Sequence, residues 1–264
     1  MRQMITHARG LRPAMQALWL ALCLLSFNAV AAAQTDTLTV RIKGMRCEEC
    51  GHKVLVAVKR LPGIEAMRFN YERRTATIAY DPAQTCRDSI EARLAATGRY
   101  KASPYSPTDV IRRGMGLRMD DMHCQRCAGR IAATLAKMEG IDSMAPHLDK
   151  HYYFIRYDAN RTSKADIKAA LTALGFTPVN YYSGPKVAFA YYNIPQEQAT
   201  RQTQDDVLTL DGVEDVAVNA RRGTLAVTFF TDGTNADRLL AAILDEGIKA
   251  QVPPPHECKE EEND

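Results

Sequence analysis

The stretch Leu38-Thr39-Val40-Arg41-Ile42-Lys43-Gly44-Met45-Arg46-Cys47-Glu48-Glu49-Cys50 decides the fold of this chain. Leu38, Val40 and Ile42 alternate with polar residues, the period of a half-buried strand. The two-residue gap between Cys47 and Cys50 lets both sulfurs face one point. From Cys50 onward, Val54, Val58 and Leu61 recur at helical spacing and mark one buried face. Leu61-Pro62-Gly63 stops that helix. Strands follow near Ala66–Asn70 and Thr75–Tyr80, parted by a turn at Glu72-Arg73-Arg74. Asp88 stands as the cap of a second helix that carries Ile90 and Leu94 and ends at Gly98. The order is β-α-β-β-α-β, which predicts an α+β ferredoxin-like unit: two helices on one face of a four-stranded antiparallel sheet.

The pattern repeats. A shift of 77 residues lays the chain on itself without a gap. Cys47 and Cys50 fall on Cys124 and Cys127, Gly63-Ile64 on Gly140-Ile141, Tyr80-Asp81 on Tyr157-Asp158, and Gly98 on Gly175. A shift of 149 residues brings in a third copy, with Gly212-Val213, Val227, Ile243 and Gly247 at the matching places. A fixed period across a whole run of spacings marks tandem units. The copies cover 38–101, 115–178 and 187–250, so three tandem βαββαβ domains are expected. Ala102-Ser103-Pro104-Tyr105-Ser106-Pro107 and Ser183-Gly184-Pro185 read as joints. The domain reading is 34–108, 109–184 and 185–252, followed by an acidic tail, 253–264, that contains Glu260-Glu261-Glu262 and reads as solvated and disordered. In the third copy Gln196 and Ala199 stand at the two cysteine positions, and Ile194 where Met45 stands. It keeps core positions and loses every thiol.

The composition, 46% hydrophobic and 25% charged, is that of a soluble globular protein and excludes collagen-like, disordered and polytopic membrane classes. The net charge of +3 sits unevenly. Residues 1–33 hold Arg2, Arg9 and Arg12 and no acid, then an apolar run from Ala14 to Phe27, then Ala31-Ala32-Ala33. That is the grammar of a secretory signal peptide, and it predicts export to the periplasm or another extracytoplasmic compartment. An N-terminal membrane anchor is the alternative, although the run is short of the roughly 18–20 residues of a span. A lipidated Cys23 is disfavoured by Leu22 before it. Without residues 1–33, basic and acidic residues balance at 31 each. The remainder is polarised: +5 over 34–108, +3 over 109–184 and −8 over 185–264. A weakly positive total suggests weak attraction to nucleic acid or anionic lipid, and that suggestion goes with the leader. Nothing resembles a catalytic triad, a phosphate loop or a nucleic-acid reader, so no enzyme is predicted.

Thiolate is the form of cysteine that binds metal, and a helix N-terminus lowers thiol pKa through its unpaired N–H groups and positive dipole end. On that ground Cys50 and Cys127, read as beginning their helices, are expected to ionise early. Two soft sulfurs per site favour a soft ion such as Cu(I). A structural zinc site wants four ligands, and the distance between the pairs is too long for a zinc ribbon. Cys86 reads as a small packed residue and His52 as facing water.

Gly44-Met45-Arg46-Cys47-Glu48-Glu49-Cys50 matches in full the Gly-Met-x-Cys-x-x-Cys motif of the heavy-metal-associated domains, and Asp121-Met122-His123-Cys124-Gln125-Arg126-Cys127 departs from it only at Asp121. The chain resembles tandem members of that family. They occur in soluble copper chaperones, in the amino-terminal modules of copper-exporting P-type ATPases, and in the periplasmic mercury-binding protein of resistance systems. The resemblance covers the first two copies well and the third only as a fold. It implies that Cys47, Cys50, Cys124 and Cys127 are the ligands, that Met45 and Met122 point inward, and that Arg99, after Thr97-Gly98, approaches the thiolates. Phe176 takes that place in the second copy. His123 is an auxiliary ligand candidate. No Asp precedes the first cysteine of either pair, so a zinc or cadmium preference has no support. The expected cargo is Cu(I), with Hg(II), Zn(II) and Cd(II) behind it, and the expected partner is a metal-transporting P-type ATPase or another metal-carrying protein. Two alternatives stand beside a chaperone or scavenger. One is a thiol-disulfide protein, although the mature chain lacks Trp and the Trp-Cys-Gly-Pro-Cys pattern. The other is an adaptor that docks through the acidic third copy, on its basic siblings or on a cationic partner.

Overall fold

A computed structural model of the chain describes residues 34–254. The expected leader and most of the expected tail, with Cys23 and Cys258, lie outside the described residues. The chain divides into two compact units, one of residues up to Phe69 with Thr75–Pro104, the other of Asn70–Arg74 with the residues from Tyr105 onward.

The first unit follows the predicted order. Strand β1 (Asp36–Lys43) leads to helix α1 (Glu48–Val58), then β2 (Ile64–Asn70), β3 (Thr75–Tyr80), helix α2 (Arg87–Ala95) and β4 (Lys101–Pro104). The antiparallel sheet has the order β2-β3-β1-β4, with Val40 opposite both Ala76 and Pro104. Alternation places Val40 and Ile42 in the core with Val54 and Val58 of α1 and Ile90 and Leu94 of α2. Each such side chain withdrawn from water contributes about 1.5–3 kcal/mol. Two local expectations change. Residues 102–104, read as linker, belong to β4, whose short span pairs with Val40–Lys43. Cys86, not Asp88, is the N-cap residue of α2. Asp88 sits in the first turn, where its charge suits the helix dipole.

The second unit holds two sheets. The first is built from β5 (Arg112–Arg118), α3 (Gln125–Leu135), β6 (Ile141–His147), β7 (Tyr152–Asp158), α4 (Lys164–Leu174) and β8 (Val179–Tyr181), in the order β6-β7-β5-β8. Helix α4 carries a full capping box between Ser163 and Asp166 and ends at Gly175 with φ 106°.

The third repeat runs β9 (Val187–Asn193), α5 (Arg201–Leu208), β10 (Val213–Asn219), β11 (Thr224–Phe230) and α6 (Ala236–Asp245). It departs from the expected four strands. Its sheet is three-stranded, β10-β11-β9, and only an isolated bridge from Asn193 to Gln251 stands where a fourth strand would pair. The chain reaches Pro253-Pro254 two residues later, and proline supplies no ladder donor. The backbone otherwise keeps the period. Gly63, Gly140 and Gly212 all have positive φ (74°, 86° and 78°), and their carbonyls accept the strand-end N–H of Asp81, Asp158 and Phe230 respectively. The same bulge, one residue into the second strand, recurs in the second and third sheets. Among the described residues no helix is long and apolar enough to cross a membrane.

The third sheet is covered on both faces. Residues Thr224 to Phe229 of β11 are all buried. Val227 and Phe229 face the apolar core with Leu239 and Ile243 of α6. Ala226, with Ala217, packs against Val179 of β8 in a separate cluster. The acidic third repeat therefore docks on the second. Lys168 of α4 pairs with Asp215 at 2.6 Å, both mostly buried, and Asp215 also accepts the Asn180 N–H at 2.6 Å.

Candidate metal centres

Each cysteine pair lies at a strand-to-helix junction. In the first unit Cys47 is the N-cap residue of α1, extended at φ −145°, and Cys50 lies one turn in. Cys124 holds the same place before α3, where its sulfur accepts the Cys127 N–H at 3.4 Å. The two sulfurs are 3.0 Å apart in both pairs, and all four cysteines are free thiols. Cys47 and Cys124 are exposed, Cys127 is half-buried and Cys50 is buried. Met45 and Met122 are wholly buried and hold the loops to their cores. Two sulfurs converging on one open side are the donor set of a soft ion of low coordination number. Among the described residues no group of three or more His, Cys, Asp or Glu side chains gathers to hold an ion, so His123 joins no such cluster. Its ring instead packs edge-on against His151, centroids 5.4 Å apart.

The two sites differ electrostatically. A hydrogen bond from Cys47, then the Arg46 backbone N–H, lower the Cys50 thiol pKa to about 7. Arg99 Nη2 stands 3.9 Å from Cys50 Sγ. The buried Tyr100 hydroxyl, which makes no well-formed hydrogen bond, faces the same sulfur and draws its pKa down further. In the second pair the roles reverse. Cys124 is lowered, chiefly by its hydrogen bond with Cys127, whereas burial pushes Cys127 up. The expectation of an acidic second thiol thus holds for Cys50 and fails for Cys127. Helix placement is the same in both; the pairs differ in which sulfur is favoured as thiolate, Cys50 in the first and Cys124 in the second. Phe176, at the place of Arg99, is buried with the Arg130 guanidinium 5.7 Å from its ring centroid.

Sequence reasoning passed over Tyr100, His151 and the role of Asp121. Tyr100 was visible only as an aromatic two residues after Gly98. His151 has a left-handed backbone (φ 52°), and its Nδ1 bonds the Met122 carbonyl at 3.0 Å, bracing the second loop from the β6–β7 turn. Gly44 has φ 96°, and a Cβ there would meet the Arg99 carbonyl at 2.6 Å, so the first loop requires glycine. Asp121 has no positive φ, and the second loop admits a side chain there. Cys86 is exposed rather than packed, because a helix N-cap lies at the surface; its sulfur is 3.3 Å from Ser89 Oγ, which lowers its pKa. His52 is exposed. In the third repeat the loop position holds a short 3₁₀ turn, Gln196–Gln198. Gln196 donates to the Arg221 carbonyl, and Gln198 bonds both the Gly247 carbonyl and the Lys249 N–H. Side-chain amides close what the cysteines leave open.

Fold and site define a class: ferredoxin-like units that present a dithiol on an open loop. Residues 39–99 and 117–177 each match the model of the heavy-metal-associated domain, and the chain carries two domains of that family. The third repeat lies outside both matches. The chain is 25% identical over 144 residues to a copper-exporting P-type ATPase of Bacillus subtilis, covering 54% of this chain and 17% of that protein. It is 26% identical over 154 residues to copper-transporting ATPase 2 of Homo sapiens, covering 55% of this chain and 10% of that protein. The chain therefore spans only a small part of the length of these relatives. Among solved structures, the N-terminal soluble domains of Bacillus subtilis CopA share 24% identity with it, over 58% of this chain and 98% of theirs, with a TM-score of 0.26.

Proposed function

We propose that the protein carries a soft metal ion, Cu(I) foremost, and passes it on through Cys47/Cys50 and Cys124/Cys127. The observation that carries this reading is the pair of open loops, each with two free sulfurs 3.0 Å apart and one of them exposed. Two thiolates match a soft monovalent ion. Exposure permits transfer by exchange: an incoming thiolate joins the ion before a resident one leaves. Arg99 beside Cys50 offsets the net negative charge of a bis-thiolate Cu(I) site. The names of the relatives support copper over Hg(II), Zn(II) or Cd(II). The protein acts as a chaperone or scavenger and catalyses no reaction. It is exported on residues 1–33, and a metal-transporting ATPase or another metal-carrying protein receives its cargo. The test is Cu(I) titration under anaerobic conditions. One equivalent per pair is expected, with one lost in Cys47→Ser, one in Cys124→Ser and both in the double variant. Unchanged stoichiometry in the double variant overturns the reading. The low pKa of Cys50 favours a second reading, thiol-disulfide exchange. Sustained insulin reduction by the metal-free protein would establish it instead.

A further inference from the structure

The two departures from the repeated pattern, Asp121 in place of glycine and a third repeat without cysteines, meet in space. Asp121 is buried at the base of the Cys124/Cys127 loop. Its Oδ2 accepts the Thr177 hydroxyl at 3.0 Å and the Tyr191 hydroxyl at 3.4 Å. Thr177 in turn is 2.7 Å from the Thr224 hydroxyl. Tyr191 lies on β9 and Thr224 on β11, so two strands of the third repeat reach the motif residue of the second. The relay is consistent: Thr224 donates to Thr177, which donates to the carboxyl.

The third repeat also seizes the other loop beside the site. The Gly175-Phe176-Thr177 turn ends α4, and its carbonyls lack helical partners. Asn219 donates to the Thr172 and Phe176 carbonyls at 3.2 and 2.9 Å. Arg221 donates to Ala173 and Arg222 to Gly175. Two cations thus sit at the negative end of the helix dipole. In the first unit the corresponding turn is closed from within, the Thr97 hydroxyl accepting the Tyr100 N–H at 3.1 Å, and its side chains face Cys50.

We propose that the third repeat is a resident clamp on the second metal loop. By fixing Asp121 and the Gly175–Thr177 turn it holds the Cys124/Cys127 loop in its binding form and slows release of the ion, making the second site a retention site. Tyr191, Thr224 and Asn219 are positioning residues, and the fold of the third repeat is kept for this contact rather than for ligation. The inference rests on the metal-carrier reading for its cargo and on the hydrogen-bond network for its mechanism.

The test uses the full chain in a Cys47→Ser/Cys50→Ser background, with Tyr191→Phe and Thr224→Val added. Two readouts are taken: Cu(I) handover to a chromophoric chelator, and amide hydrogen exchange of residues 119–127 in the metal-free protein. Handover and exchange should both quicken about tenfold, the effect of losing hydrogen bonds to a buried carboxyl. Thr224→Ser should restore the slow rates. Asp121→Gly should quicken them although it restores the family motif. A merely structural role would lower the melting of the third repeat without moving the loop. Unchanged handover and exchange in a folded variant overturn the clamp. So does an equal quickening at the first site, read in the reciprocal Cys124→Ser/Cys127→Ser background. If neither pair takes up Cu(I), the metal-carrier reading falls, and loop exchange alone then decides the clamp.

Discussion

The Cys47/Cys50 and Cys124/Cys127 loops share strand, cap and sulfur spacing, yet they are finished differently. The first is completed by its own unit: Arg99 and Tyr100 turn toward Cys50, whose pKa falls to about 7. The second is completed by its neighbour, which takes hold of Asp121 and of the turn that bears Phe176. One motif thus stands in two different settings. A motif specifies which atoms can bind; the residues behind it set how tightly the ligands are held and at what pH they ionise.

The comparison breaks most directly at Asp215. Asp215→Ala leaves the mostly buried Lys168 without its partner and the Asn180 N–H without an acceptor. It should cost the second unit about 3 kcal/mol in denaturant unfolding while the pH titration of Cys47/Cys50 stays where it was. A disturbed first pair would contradict the separate completion of the two sites. A loss of about 2 kcal/mol is expected for Gly44→Ala, since the left-handed backbone and the Arg99 carbonyl leave no room for a methyl group. Asp121→Gly should bring no matching gain, because residue 121 is not left-handed. Thermal melting of the two variants checks both.

The thiol chemistry sharpens the contrast further. In the metal-free protein the first pair should give up its first proton near pH 7, whereas Cys127 should stay protonated past the ordinary thiol value. Alkylation by iodoacetamide, mapped by peptide mass over a pH series, should therefore label the first pair well before Cys127. Labelling of the first pair slows as the pH falls through 7. Equal pH profiles would erase the distinction. The smallest effect is expected of Arg99→Ala. An exposed guanidinium screens weakly, so Cu(I) affinity at the first site should drop about threefold in a competition titration, with the second site untouched.

Much of this was legible in the sequence because it depends on spacing. The alternation of Leu38, Val40 and Ile42, the helical period from Cys50 to Val58 and the 77-residue shift follow from side chains seeking one buried face, and they yielded the βαββαβ order and both cysteine pairs. The errors arose where a residue's environment lies far away in the chain. Cys86 looks apolar in isolation and turns out to stand exposed at the N-cap position of a helix. Cys127 looks like Cys50 until its burial and its bond with Cys124 are weighed together. The third sheet lost its fourth strand to a proline run whose effect depends on where Asn193 stands.

The sequence by itself determined the repeat, the position of the four sulfurs and the loss of sulfur in the third copy, because these are local identities at fixed spacings. Only the tertiary structure decided where the third copy packs and which residues it touches. Charge totals suggested that an acidic repeat would dock on a basic one. They could not say that Tyr191 would meet Asp121 and Thr224 would meet Thr177, since hydrogen bonds between residues 47 to 70 positions apart are set by how two folded sheets pack.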